Sequence, residues 1–252
     1  MTIPAYLPYY VLLGSAGIIA TLLYGLSRAL AKADWAPVER ARAVRLSGVV
    51  LIGWFVAATG LALAGVYQAA ADRIPVIQFG IAVPILIGAW LIWRSEAVRH
   101  VIDAMPQASI VGLQLYRALG VIFLILYASG RLPGLFAWPA GVGDILVGVL
   151  APFVALAYAR APHENGDLVA AWNGLGILDL VVAVGMGFAT SPSPFQLLAF
   201  DRPNDLVSLF PLVLIPTYLV PLSILLHLAS LTKLRRSAMP AARHGNIVTA
   251  RA

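Results

Sequence analysis

Two charged residues, Arg117 and Asp179, stand inside long apolar stretches of the sequence. A charged side chain in the middle of a lipid-embedded helix costs roughly 2.5–3.5 kcal/mol on insertion scales, so such residues are candidates for function. Each lies nine or ten residues into its stretch, which is roughly 14–15 Å along a helix. Because opposite charges at equal depth attract each other, we expect Arg117 and Asp179 to pair near the middle of a membrane.

This expected pair has two interpretations, which the sequence leaves open. It can be a structural ion pair that fixes helix packing, or it can line the path of a ligand or proton. Gln114 precedes Arg117 by three residues and therefore shares its helix face. Gly176 lies three residues before Asp179, where a small residue lets another helix come close.

Asp144, Asn173 and His227 are the other polar candidates. Asp144 follows a segment rich in proline and glycine, 132–143, so we expect a loop there and a helix-capping role for Asp144 in preference to contact with a substrate. Asn173 and His227 each lie four residues from the predicted cytoplasmic ends of their stretches. We expect these two side chains to form a hydrogen bond, and His227 is a structural or a proton-handling residue.

The last apolar stretch contains three prolines, Pro211, Pro216 and Pro221. A proline inside a helix frees the carbonyl four residues before it, which in a membrane must contact protein, water or an ion. The simpler expectation is a kink, and the alternative is a broken helix of the kind that marks binding sites.

Metal and cofactor chemistry is restricted by the residue types. The chain has no cysteine, which excludes thiolate metal sites, iron–sulfur clusters and thiol catalysis, and no HExxH motif occurs. We therefore predict no metal and no cofactor. A haem held by His227 and His100 is the one alternative that the histidines leave open.

Composition defines the broad class of protein. Of the 252 residues, 61% are hydrophobic and 11% are charged, and the mean hydropathy is +0.89. Soluble domains average about 25% charged residues, so this chain is an integral membrane protein. The net charge of +6 does not indicate nucleic acid, because the basic residues flank apolar stretches. The expected partners are the lipid bilayer and a small-molecule ligand or ion; the oligomeric state is not indicated.

Seven stretches reach the length of about 20 residues that crosses a bilayer. We therefore predict an all-α seven-helix bundle over residues 1–232 and a basic, disordered tail over 233–252. The segment 191–210, which mixes apolar and charged residues, is predicted to lie along the membrane interface. The predicted spans are 6–26, 47–70, 75–93, 108–130, 142–158, 169–190 and 211–231.

The distribution of Lys and Arg predicts the orientation. Most of them lie in the first, third and fifth loops and in the C-terminal tail, whereas the alternate loops carry only Arg73, Arg131 and Arg202. Since basic loops stay in the cytoplasm, we expect the N-terminus outside and the C-terminus in the cytoplasm. The predicted location is a bacterial plasma (inner) membrane.

Three features together resemble an uncharacterised family of bacterial polytopic membrane proteins. These are the run Pro-Ala-Gly-Val-Gly-Asp at 139–144, the segment from Trp172-Asn173 to Asp179, and the proline-rich last stretch with His227. The resemblance covers roughly 114–236. It implies no activity, substrate or cofactor.

Three functions fit these observations. The first is a small-molecule or ion permease or a ligand-binding protein, in which Arg117 binds an anionic group or holds Asp179 and Asp179 couples to protons. The second is a membrane enzyme on a lipid-like substrate, with Asp144, Asp179 and His227 as acid–base residues, although their predicted depths separate them. The third is a non-catalytic subunit or sensor whose basic first loop and tail contact a partner or anionic lipid. We favour the first.

Overall fold

The computed structural model describes the backbone of residues 3–248 and the side chains of residues 3–237. Within that part of the chain every regular element is helical. Seven helices are long and apolar enough to cross a membrane, which confirms the predicted multi-pass architecture. In chain order, the helices before the last one are α1 (Leu7–Lys32), α2 (Pro37–Leu63), α3 (Ile77–Arg94), α4 (Glu96–Ala104), α5 (Gln107–Ala128), α6 (Gly134–Arg160) and α7 (Gly166–Thr190).

The last helix, α8, covers residues 215–248 and is irregular at its start. It begins with a π-helical turn, Ile215–Leu219, and continues as an α-helix over Val220–Val248. Pro216 lies in that turn and Pro221 is the second residue after it, whereas Pro211 precedes the helix. The prolines therefore change the winding of the first turns and do not split the helix in two.

Burial shows which helices form the interior. In α8, 56% of the most apolar window is buried, against 17% in α2 and in α3. α8 packs against α3, α5 and α7, while α6 packs mainly against α5 and α7. The centre of the bundle is therefore made by α5, α6, α7 and α8, and α2 and α3 present most of their apolar surface outward.

The short helix α4 connects two of the long ones. Its first turn is capped by Ser95, whose Oγ accepts a hydrogen bond from the Val98 N–H at 3.4 Å. At its other end Asp103 accepts a hydrogen bond from Arg236 of α8, with an N–O distance of 2.9 Å. The ion pair joins the connection between α3 and α5 to the C-terminal half of α8.

The segment 191–210 has one buried and one exposed side. Asn204 and Leu206 are fully buried, whereas Leu197 and Phe200 are 68% and 69% exposed. The Oγ of Ser208 accepts a hydrogen bond from the Ala69 N–H at 3.1 Å, which joins this segment to the α2–α3 connection. The division into two faces fits the predicted amphipathic segment, and its place at a membrane interface stays a prediction.

The prediction of a loop over 132–143 was wrong, because α6 begins at Gly134 and includes Pro139, Gly141 and Gly143. The glycines serve close packing: a Cβ on Gly141 would lie 2.7 Å from the Leu124 side chain of α5. The predicted boundary at residue 232 lies within α8, and residues 249–252 are outside the described chain. The disorder of the tail stays a prediction.

Candidate functional site

The Arg117 guanidinium lies near the middle of α5 and contacts protein acceptors through all three of its nitrogens. Its Nε donates to Asp144 Oδ1 at 2.8 Å, and its Nη2 donates to Asp179 Oδ2 and lies 2.7 Å from Asp144 Oδ1 in an ion pair. Its Nη1 donates to the Gly176 carbonyl at 3.1 Å and bonds to His227 Nε2 at 3.3 Å. The Arg117 side chain is only 1% exposed, so the protein shields it from an anionic ligand. The expected pairing of Arg117 with Asp179 is confirmed, with Asp144 as a second carboxylate.

The hydrogen bonds of His227 define its protonation state. Because a guanidinium only donates, His227 Nε2 must accept the bond from Arg117. The other ring nitrogen, Nδ1, therefore carries the proton and donates it to Asn173 Oδ1 at 2.9 Å. The side chain is fully buried. His227 is thus a neutral residue that holds Arg117 on one side and Asn173 on the other, and a haem iron would have to displace one of these partners.

A chain of hydrogen bonds continues from Asn173 to the beginning of α5. Asn173 Nδ2 donates to Ser230 Oγ at 2.9 Å, and Gln107 Nε2 donates to the same oxygen at 2.6 Å. Both amides are buried. A line of hydrogen-bonded polar side chains therefore extends from Arg117 toward the α4 side of the bundle, between hydrophobic clusters. Sequence reasoning missed Gln107, since it directly follows Pro106 and looks like a loop residue.

Gln114 contacts α8 and not the ionic cluster. Its Nε2 donates to the Ser223 carbonyl at 3.0 Å, while its Oε1 has no partner among the described residues. The Ser223 hydroxyl lies 2.7 Å from the Tyr116 hydroxyl. Both contacts link α5 to Ser223 of α8, which lies one helical turn before His227. Tyr116 carries no signal in the sequence, because an aromatic residue within a span is ordinary.

Glycines let the helices approach the charged groups closely. A Cβ on Gly143 of α6 would lie 1.5 Å from Asp179 Oδ1, and a Cβ on Gly176 of α7 would lie 2.3 Å from His227 Nε2. Neither position accepts a larger residue without displacing the side chain opposite. A Cβ on Gly120 would likewise collide with the Asp144 side chain, and a Cβ on Gly148 would collide with the backbone of Ala118.

The cluster carries more negative than positive charge. Two carboxylates share one guanidinium, and His227 is neutral, so the formal charge is −1. Asp144 bonds through Oδ1 and Asp179 through Oδ2, which leaves one oxygen of each without a protein partner in the described chain. The two side chains are 15% and 10% exposed, respectively. The two acidic side chains are therefore partly accessible, whereas Arg117 is enclosed.

Two cavities meet at Asp144. The larger, of ≈ 70 Å³, extends to the segments before α3 and before α8, where Ala69 and Ser208 line it. The smaller, of ≈ 40 Å³, lies between α1, α5 and α8 and is lined by Ser15, Tyr116 and Arg117. The Ser15 hydroxyl has no partner among the described residues. The accessible side of the cluster therefore faces away from the Gln107–Ser230–Asn173 chain.

The structure corrects two predictions about these residues. Asp144 is not a cap, because it lies ten residues inside α6. The depths predicted for Asp144 and His227 were also wrong: both contact Arg117, at the level where Asp179 was correctly expected. The reason is that α6 begins before and α8 ends after the predicted spans, which moves Asp144 and His227 toward the middle of their helices. Asn173 and His227 form the expected hydrogen bond.

These features define a multi-pass helical membrane protein with an ionic cluster in its interior. The chain belongs to a family described as a domain of unknown function, DUF8737, whose model matches residues 74–235. This confirms the resemblance to an uncharacterised family, and the match includes every candidate site residue. No curated protein and no solved structure matches the chain.

Proposed function

We propose that the protein is a ligand-binding membrane protein that acts as a permease for a small molecule or ion, with its binding site at Asp144 and Asp179. The observation that carries the proposal is the unbalanced cluster beside a cavity. A buried charge without a counter-charge is costly, so the second carboxylate favours a site that takes up a proton or cation. A pair needed only for packing would be served by one carboxylate.

Each member of the cluster has a separate role in this proposal. Arg117 holds the two carboxylates in place and does not contact the ligand, since its side chain is enclosed by protein acceptors and only 1% exposed. Asp144, which lines both cavities, offers its free oxygen to the ligand or proton, and Asp179 supplies the second negative charge. His227 fixes the guanidinium and is itself oriented by Asn173. Release on the opposite side requires the Gln107–Ser230–Asn173 chain to open.

The orientation of the site in the cell follows from the basic loops. With the N-terminus outside and the C-terminus in the cytoplasm, the connections that line the larger cavity, α2–α3 and α7–α8, are external. The cavity then gives Asp144 access from outside, and the Gln107–Ser230–Asn173 chain lies on the cytoplasmic side of Arg117. The proposed location is a bacterial plasma membrane.

The enzyme alternative gains one argument and loses another. The convergence of Asp144, Asp179 and His227 removes the objection based on depth. However, His227 is fully buried and both of its nitrogens are bonded, so it has no free position for acid–base chemistry with a substrate. The subunit or sensor alternative needs only a packing pair and leaves the cavity and the second carboxylate without a role.

Solid-supported membrane electrophysiology tests the proposal without knowledge of the substrate. Proteoliposomes are exposed in turn to a pH jump, ammonium, short primary amines, amino acids, short carboxylates and sugars. We expect at least one of these additions to produce a charge displacement that protein-free liposomes do not show. The absence of any such signal from the wild-type protein would refute the permease proposal.

Two variants assign the signal to the site. Asp179→Asn removes a charge from the cluster, and we expect it to abolish the response while the protein still folds. Asp103→Asn is the matched control, because Asp103 belongs to the surface ion pair with Arg236, and its response should equal that of the wild type. An undiminished response in folded Asp179→Asn would contradict the assigned site.

A further inference from the structure

We infer that the larger cavity binds a small organic ammonium ion, with the nitrogen at Asp144 and a short apolar tail against the cavity wall. This inference rests on the proposed function and names the class of its ligand. It is drawn from the charge of the cluster, the lining of the cavity, its unpaired acceptors and its volume.

The sign of the ligand charge follows from the cluster. The formal charge of the site is −1, and its cation, Arg117, is only 1% exposed and contacts protein acceptors through all three nitrogens. An anion would meet an excess of negative charge and a guanidinium that the protein encloses. A cation balances the charge and bonds to the free carboxylate oxygen of Asp144, and such charge-assisted bonds are the stronger kind.

The lining of the cavity requires an apolar part in the ligand. Most of the side chains that surround it are hydrophobic, so a bare metal ion would lack the oxygen ligands that hard cations need. An organic cation satisfies both the charge and the apolar wall. The apolar residues include Ile81, Phe123, Phe136, Ala140, Ala183 and Phe188.

A second acceptor in the same cavity supports an ammonium group. The Oε1 of Gln78, on α3, is buried and has no partner among the described residues, and Gln78 lines the cavity together with Asp144. An unpaired buried acceptor is unfavourable. A primary ammonium group has three N–H donors, so after it bonds to the Asp144 carboxylate it keeps donors for Gln78, whose side-chain amide must turn its buried oxygen toward the cavity.

The volume limits the ligand to a small one. The cavity of ≈ 70 Å³ compares with roughly 10–15 Å³ needed to hold one water by this kind of measure. It therefore has room for about five heavy atoms, which is the size of n-butylammonium.

Binding of three matched probes to the protein in nanodiscs tests the inference. The probes are n-butylammonium, 1-butanol and butyrate, which have similar tails and a positive, neutral or negative head. We expect n-butylammonium to raise the thermal unfolding midpoint in a saturable manner at millimolar concentration, and the other two to have no such effect. Equal stabilisation by butanol, preferential stabilisation by butyrate, or no effect of the amine would each overturn the inference.

Variants then locate the amine. Asp144→Asn should weaken amine binding about tenfold or more, and Gln78→Leu about fivefold, because they remove a charged and a neutral acceptor, respectively. Asp103→Asn should bind as the wild type does. An affinity unchanged in Gln78→Leu would contradict the assigned cavity, and this variant removes an unpaired group, so folding is not at risk from a lost bond.

The two proposals fail in different ways. Responses to a pH jump, carboxylates or sugars without any response to amines would uphold the permease proposal and refute the ammonium ligand. No response to any addition, together with no stabilisation by the amine, would refute both.

Discussion

At the scale of single residues, Arg117 is the residue on which the others depend. Its position and that of Asp179 could be predicted, because charged residues stand out in apolar stretches and their depths can be compared. The role of Asp144 could not, since Pro139, Gly141 and Gly143 in the preceding segment have the composition of a loop. Only the packing of α6 against α5 and α7 shows that the glycines are needed for close contact.

Removing Arg117 should strongly destabilise the protein. In Arg117→Leu two buried carboxylates lose their counter-charge, and breaking a buried pair in this way costs roughly 3–5 kcal/mol. The free energy of unfolding in detergent, measured by denaturant titration, checks this. Arg236→Leu is the control, because its exposed pair with Asp103 is worth about 1 kcal/mol or less.

Adding Asp144→Asn and Asp179→Asn to Arg117→Leu should recover a large part of the lost stability, since neutral amides are cheaper to bury than carboxylates. A triple variant as unstable as Arg117→Leu alone would show that the loss comes from packing and not from charge.

At the scale of elements, the site depends on how closely α6 and α7 approach each other. Helix boundaries from hydropathy locate α7 well but place the start of α6 eight residues late, as 142 instead of Gly134. Hydropathy measures membrane solubility, and it does not register a helical turn made of small residues. The series of hydrogen bonds from Gln107 through Ser230 to Asn173 was missed for a related reason. Gln107, which begins the series on α5, lies at the edge of an apolar stretch.

Substitution of Gly143 by alanine should disrupt the cluster. The new methyl group would lie 1.5 Å from Asp179 Oδ1, so Asp179 must move away from Arg117. We expect a lower thermal unfolding midpoint and loss of the electrophysiological response. Gly174→Ala in α7 is the matched control, because nothing lies within 4 Å of its Cβ position. There we expect no loss, or a gain of up to about 1 kcal/mol from helix propensity. Equal effects of the two changes would contradict a close α6–α7 contact.

At the scale of the whole molecule, the membrane class was predictable from composition, because so few charged residues cannot cover a soluble surface, and the seven spanning helices were predictable from the lengths of the apolar stretches. The interior position of α8 was not predictable, as its hydropathy resembles that of the outward-facing α3: 1.5 against 1.6 in the most apolar windows. What distinguishes α8 is the series of polar residues that find partners on α5 and α7. Which residues of different helices become hydrogen-bond partners depends on how the helices pack together, and hydropathy does not describe that packing.

The predicted orientation can be tested by labelling single cysteines, since the natural chain has none. Asp201→Cys lies in the exposed part of the α7–α8 connection, and Glu164→Cys is exposed between α6 and α7. In intact cells a membrane-impermeant maleimide should label the first and not the second, whereas permeabilised cells should show both. The reverse pattern would invert the orientation, and labelling of both in intact cells would contradict opposite sides.

The π-helical turn at Ile215–Leu219 has a consequence for the angular setting of α8. Such a turn contains one residue more than an α-helical turn, and one residue corresponds to roughly 100° of rotation about the helix axis. Ser223, His227 and Ser230 all follow the turn and meet partners on α5 or α7. The direction around the helix axis in which these three side chains point, relative to the α7–α8 connection, therefore depends on that single extra residue. Without it, the three side chains would be rotated away from their partners.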